Sequence, residues 1–151
     1  MNSKPGSFSH LLFVVTETIA QLSLASELPS IAAATEKAVE IARDLGYGDD
    51  ALFGIDMAVR EAVTNAVIHG NREDASVEFD MTITHEAHDL TIAVRDRGNG
   101  FNPAQVADPT ATENLLATSG RGILFMRNFM DDVTWETHSQ GGTVVRLTKR
   151  R

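Results

Sequence analysis

The strongest pattern along the chain is an apolar stripe. Ile55, Ala58, Val59, Ala62, Val63, Ala66 and Val67 recur at i, i+3, i+4, i+7, i+8, i+11 and i+12. The spacing predicts an amphipathic helix that opens at Asp49 and Asp50 and ends at His69. Ahead of it, Pro29 and Ser30 open a first helix that runs to about Leu45 and is stopped by Gly46 and Gly48. Upstream of that, Ala20 to Ala25 alternates like a short strand behind an irregular leader over residues 1–18. After the second helix the period changes to two. Val77, Phe79, Met81 and Ile83, then Leu90, Ile92 and Val94, read as two strands joined by a hairpin turn over His85–Asp89. The stretch from Phe101 to Ser119 keeps no period, is long for a loop in a compact domain, and is expected to be a mobile lid. A third helix follows from about Gly122 to Met130, and a last hairpin pairs Val133–His138 with Thr143–Thr148 across Gln140-Gly141-Gly142. Three helices laid on one face of a mixed, mostly antiparallel sheet give an α/β (α+β) two-layer sandwich, formed by a single domain over residues 19–151.

Composition narrows the partners. With 151 residues and 42% hydrophobic content the chain is long enough for one real core. The apolar run at Leu11–Val15 is broken by Glu17 and falls far short of the roughly 18 residues of a membrane span, so the chain is expected to be soluble and cytoplasmic. There are no cysteines, which removes disulfides and thiolate metal sites. A formal charge of −8 argues against direct nucleic-acid binding, because phosphate neutralisation needs a basic face and the only basic cluster is Lys149-Arg150-Arg151 at the terminus.

Three short pieces carry candidate chemistry. In "EAVTNAVIHGN", Glu61 and Asn65 are four residues apart on the flank of the apolar stripe, where a pocket wall would lie. A carboxylate and an amide oxygen there suit a hydrated divalent cation or a hydroxyl. In "DRGNG", Asp96 shares the parity of Leu90, Ile92 and Val94, which aims its carboxylate at the helix layer and calls for a donor such as a nucleobase amine. Gly98 and Gly100 would admit a ligand close to the backbone. In "SGRGI", Ser119, Gly120, Arg121 and Gly122 stand at the mouth of a helix, where free amides and the helix dipole suit phosphate. Each piece alone also fits a plainer role: a solvated helix face, a Gly-rich turn after a strand, a glycine cap. "HEAH" at His85–His88 lacks the spacing of a metalloprotease helix and reads as a polar turn, while Trp135, Phe125 and Phe129 read as core.

Taken together and in order, "EAVTNAVIHG", "DRGNGF" and "SGRGILFMRNFMDDV" resemble the N box and the two glycine boxes of the GHKL (Bergerat-fold) ATP-binding domain shared by gyrase and histidine kinases. Within that superfamily the chain is most similar to the anti-sigma factor serine/threonine kinases of bacterial partner-switching systems. "NFMDDV" and "GGTVVRL" fit as well. The resemblance implies ATP and Mg²⁺ as cofactors, with Asn65 on Mg²⁺ and Glu61 as general base. It implies Asp96 on the adenine amine with Thr143 supporting through water, and Gly98, Gly100, Gly120 and Gly122 lining the nucleotide. It further implies a protein substrate, an anti-anti-sigma factor of the STAS type, a sigma factor held inactive, and room for a homodimer. Two alternatives stand beside it: a nucleotide-binding regulatory module without phosphotransfer, and a detached histidine-kinase catalytic domain. The sequence departs from the family pattern where Lys37 and Val39 replace an arginine of the first helix. It departs again where Thr118 replaces a basic residue, leaving Arg121 as the candidate substitute.

Overall fold

The computed structural model describes residues 15–98 and 118–151. Strand β1 (Thr16–Ala25) is followed by helix α1 (Leu28–Asp44), helix α2 (Asp49–Thr64) and a π-helical turn (Asn65–Gly70). Strands β2 (Glu78–Glu86) and β3 (Asp89–Arg95) come next, then helix α3 (Thr118–Phe129) and strands β4 (Asp132–Thr137) and β5 (Thr143–Arg150). The sheet order is β1-β2-β3-β5-β4, and every neighbouring pair is antiparallel.

Alternation decides which face the helices cover. Phe79, Met81 and Ile83 on β2 and Leu90, Ile92 and Val94 on β3 are fully buried, beside Leu147 of β5 and beneath the seven-residue stripe that runs along α2 and into the π turn. Each large side chain so buried contributes about 1.5–3 kcal/mol before entropy is counted. Helix α1 places Ala34, Ala38 and Ala42 on one line at 0% exposure, and these small side chains let it lie close against α2. The other sheet face is polar. There Ser23 donates to Asp80 at 2.6 Å, Asp80 also holds Arg97 at 2.8 Å, and Arg146 pairs with Glu136.

The elements expected from the pattern are present, with shifted ends. Strand β1 begins at Thr16 rather than Ala20, because a register shift between Thr18 and Ala20 breaks the alternation that would have announced it. Residues 16–18, expected as leader, are therefore strand, and residues 1–14 lie outside the described residues. The first hairpin is tighter than His85–Asp89. Glu86 pairs with Asp89, His85 stays in the strand, and only Ala87 (φ +53°) and His88 form the loop. Helix α3 begins at Thr118, four residues before Gly122. Of the expected lid, residues 101–117 lie outside the described residues.

Candidate active site

Helix α2 does not run unbroken to His69. It ends at Thr64, and the chain widens into the π-helical turn, where the Asn71 amide donates to Ala66 O five residues back at 2.8 Å. Such wide turns are rare and occur mostly at functional sites. Here the turn keeps Ala66 and Val67 in the core, at 3% and 0% exposure, while carrying Gly70 out to meet Asp96 of the sheet.

Glu61, in the last turn of α2, and Asn65, the first residue of the π turn, converge on one spot of α3. A Cβ added to Gly122 would overlap Glu61 Oε1 and lie 3.2 Å from Asn65 Nδ2. The neighbouring placement expected for the pair is therefore present, and it is closed by a glycine from the third helix. Asn65 Oδ1 is buried and has no hydrogen-bond partner among the described residues. A buried acceptor left so costs about 1–3 kcal/mol, a cost that a cation or donor at this spot would relieve. Burial raises the Glu61 carboxyl above its ordinary range, against the lowering effect of the Asn65 side chain and His69. Among the described residues no group of three or more acidic or histidine side chains stands ready for a metal. A hard cation here would take Asn65 Oδ1 together with oxygens of a ligand, as Mg²⁺ commonly does.

Asp96 sits just past β3, and its carboxylate points to the helix layer as its parity requires. A Cβ on Gly70 would meet Asp96 Cβ and Oδ2 at 2.6 Å, one on Gly98 would overlap the Gly70 carbonyl, and one on Gly142 would overlap Asp96 O. Gly142 also has φ +87°, a conformation other residues resist. Gly70 thus presses on the Asp96 side chain itself, Gly98 packs on Gly70, and Gly142 packs on the Asp96 backbone. Asp96 Oδ1 accepts from the amides of Gly98 (2.9 Å) and Thr143 (3.3 Å), and the Asp96 amide donates to Thr143 O at 3.0 Å. Burial raises the Asp96 carboxyl, opposed by those two amides and by the Arg95 charge. Beside it, Thr143 Oγ1 is buried without a partner among the described residues.

Ser119, Gly120 and Arg121 fall in the first turn of α3 and Gly122 just after it, so "SGRGI" opens the helix rather than preceding it. The first four amides of a helix have no acceptor within it, so those of Thr118 to Arg121 look for acceptors outside the helix. No acidic residue stands in that turn to repel an anion. Gly100 lies outside the described residues.

One residue of the site was passed over in the sequence. Asn71, 6% exposed, donates from Nδ2 to Ser26 Oγ (2.9 Å) and Glu78 O (3.3 Å) and accepts the Arg97 amide on Oδ1 at 2.8 Å. Ser26 and Arg97 are 45 and 26 residues away, so no local pattern marks it.

Comparison with known proteins agrees with this geometry. A family model described as the histidine kinase-like ATPase domain matches residues 24–149. An anti-sigma F factor of Bacillus velezensis is 40% identical over 102 residues, covering 66% of this chain and 70% of the relative. That of Bacillus subtilis is 39% identical over the same shares, and one from Clostridium botulinum is 35% identical over 67% of this chain and 72% of its own. Among solved structures, the RsbU and RsbW domains of Rv1364c from Mycobacterium tuberculosis match with a TM-score of 0.62, over 87% of this chain and 32% of that one. At 19% identity that likeness speaks for the fold alone. The chain belongs to the histidine kinase-like ATPase domain family and, within it, to the group that includes the anti-sigma F factors.

Proposed function

We propose that this protein is a cytoplasmic anti-sigma factor and ATP-dependent serine/threonine kinase. It phosphorylates an anti-anti-sigma factor of the STAS type and sequesters a sigma factor. The observation that carries the catalytic part is the convergence of Glu61 Oε1 and Asn65 Nδ2 at Gly122, near the opening of α3, with Asn65 Oδ1 buried and without a partner among the described residues. The names of the relatives support the regulatory part.

Bound ATP supplies the γ-phosphoryl group, and Mg²⁺ offsets the charge that develops on it. Asn65, whose Oδ1 has no partner among the described residues, would hold the hydrated ion. The backbone amides of Ser119, Gly120 and Arg121, in the first turn of α3, would hold the phosphates, and Gly122 leaves room for the Glu61 carboxylate. Asp96 would accept a hydrogen bond from the adenine amine, Thr143 Oγ1 would support it through water, and Gly98 would leave room for the base; Gly100, assigned the same role by the family resemblance, lies outside the described residues. Glu61 orients the substrate hydroxyl and takes its proton as the oxygen bonds to the γ-phosphorus and the bond to ADP breaks. A carboxyl raised by burial holds that proton better than a solvated one, which suits a general base.

The test uses radiolabelled ATP, Mg²⁺ and a purified STAS-type partner. The parent should transfer phosphate to the partner. Glu61→Gln should bind Mg·ATP as the parent does, retain the sigma factor, and transfer roughly 10²-fold more slowly or worse. Parental transfer by Glu61→Gln would remove Glu61 from the chemistry. Absence of transfer by a parent that binds ATP would make the protein a nucleotide-holding regulatory module.

A further inference from the structure

We infer that Asn71 is a positioning residue for base recognition, holding the Asp96 carboxylate in place by clamping the Arg97 peptide to the ends of β1 and β2. The inference rests on the proposal that Asp96 accepts the adenine amine. Asp96 is fixed on one side by its exchange of hydrogen bonds with Thr143. On the other side the chain has left β3 and has no strand partner. There the Arg97 amide is held by Asn71 Oδ1 at 2.8 Å, while the Arg97 guanidinium donates to Glu78 O and Asp80.

The clamp is anchored as well as attached. The two donor contacts of the Asn71 amide end at Ser26 Oγ, just past β1, and at Glu78 O, the first residue of β2, and Ser26 in turn donates to Val77 O at 2.6 Å. Its own backbone amide closes the π turn on Ala66 O. Arg72 and Glu73, the next two residues, both have positive φ (53° and 54°), a conformation that non-glycine residues hold only where their surroundings impose it. Asn71 is therefore the point at which the chain leaving the π turn is locked to the loop carrying Asp96. Loosening it frees the Arg97 peptide to rotate and lets the carboxylate swing away from the base.

The test compares ATP with purine riboside triphosphate, which lacks the exocyclic amine. The parent should prefer ATP. Asn71→Ala should bind ATP about tenfold more weakly and the analogue nearly as before, since a lost hold on Asp96 touches only the amine contact. Asp96→Asn should erase the same preference, and the double variant should lose little more than either alone, as expected of two residues acting as one unit. Hydrogen exchange of the nucleotide-free protein supplies a second readout, in which the Arg97 amide should lose protection in Asn71→Ala. Should Asn71→Ala fail to fold, Ser26→Ala removes one anchor and should shrink the ATP preference in the same direction. Asp96→Asn with an unchanged preference for ATP would remove the base reading and this inference together. Loss of preference in Asp96→Asn alone, with Asn71→Ala and Ser26→Ala both parental, would overturn the inference and leave the base reading intact.

Discussion

Replacing Gly122 by alanine separates the stability of the fold from the work of the site. Gly122 lies within the 12-residue helix α3, where alanine is favoured over glycine by about 0.8–1.0 kcal/mol. Against that gain, the new methyl group meets the end of the Glu61 side chain, which must retreat by about 1 Å to reach ordinary contact. A carboxylate end turns at a cost of about 0.5–1.5 kcal/mol, so the two terms nearly cancel. The melting temperature should stay within a few degrees of the parent's, given roughly 2–4 °C per kcal/mol at this chain length. Transfer should suffer far more, because about 1 Å of displacement at the reacting carboxylate costs on the order of 10²-fold. Thermal melts followed by circular dichroism and single-turnover transfer measure the two effects on one preparation. Parental transfer by folded Gly122→Ala would refute the placement of Glu61 against α3. A melting temperature lowered by ten degrees or more would show that helix preference does not offset the contact.

Other perturbations bear on charge and packing. Burial raises the Asp96 carboxyl, so the native state holds its proton more tightly than the unfolded chain. The resulting stabilisation is present below the ordinary carboxylate pKa and is lost as pH climbs through the raised one. Asp96→Asn, which cannot ionise, should therefore be more stable than the nucleotide-free parent at pH 7, with the advantage gone below about pH 4. Equal denaturant midpoints at pH 7 would contradict this. Tyr47→Phe should lower stability by about 1 kcal/mol and leave ATP affinity unchanged. Its buried hydroxyl lies within reach of His88 O and Lys149 O, neither of which belongs to the site, and a change in nucleotide affinity would count against that separation.

How far the sequence can be read follows from where each feature's information lies. The α2 stripe and the alternating Phe79–Ile83 and Leu90–Val94 are local patterns driven by one buried face, and all of them face the core. Asp96 was legible for the same reason, since parity carries past the last strand residue. The π turn was not, because Asn65 to Gly70 looks helical in composition and the wide turn is fixed by contacts with α3 and the sheet. The early start of α3 was hidden by Gly120 and Gly122, which weaken helix preference locally; at Gly122 the missing side chain lets the helix come close to Glu61. Asn71 was invisible because its role is defined by Ser26 and Arg97, 45 and 26 residues away.

The site straddles the seam between the two layers. Glu61, Asn65 and the opening of α3 belong to the helices, whereas Asp96, Gly98 and Thr143 belong to the sheet and its loops. A nucleotide seated there fastens helices to sheet, and its binding energy is then also cohesion of the domain. By mass action, occupancy at a hundred times the dissociation constant would add about 2.7 kcal/mol to resistance against unfolding. The cellular nucleotide pool would thereby set how firmly the protein is held together as well as whether it acts, and a starved cell would hold a looser protein, more open to proteolysis.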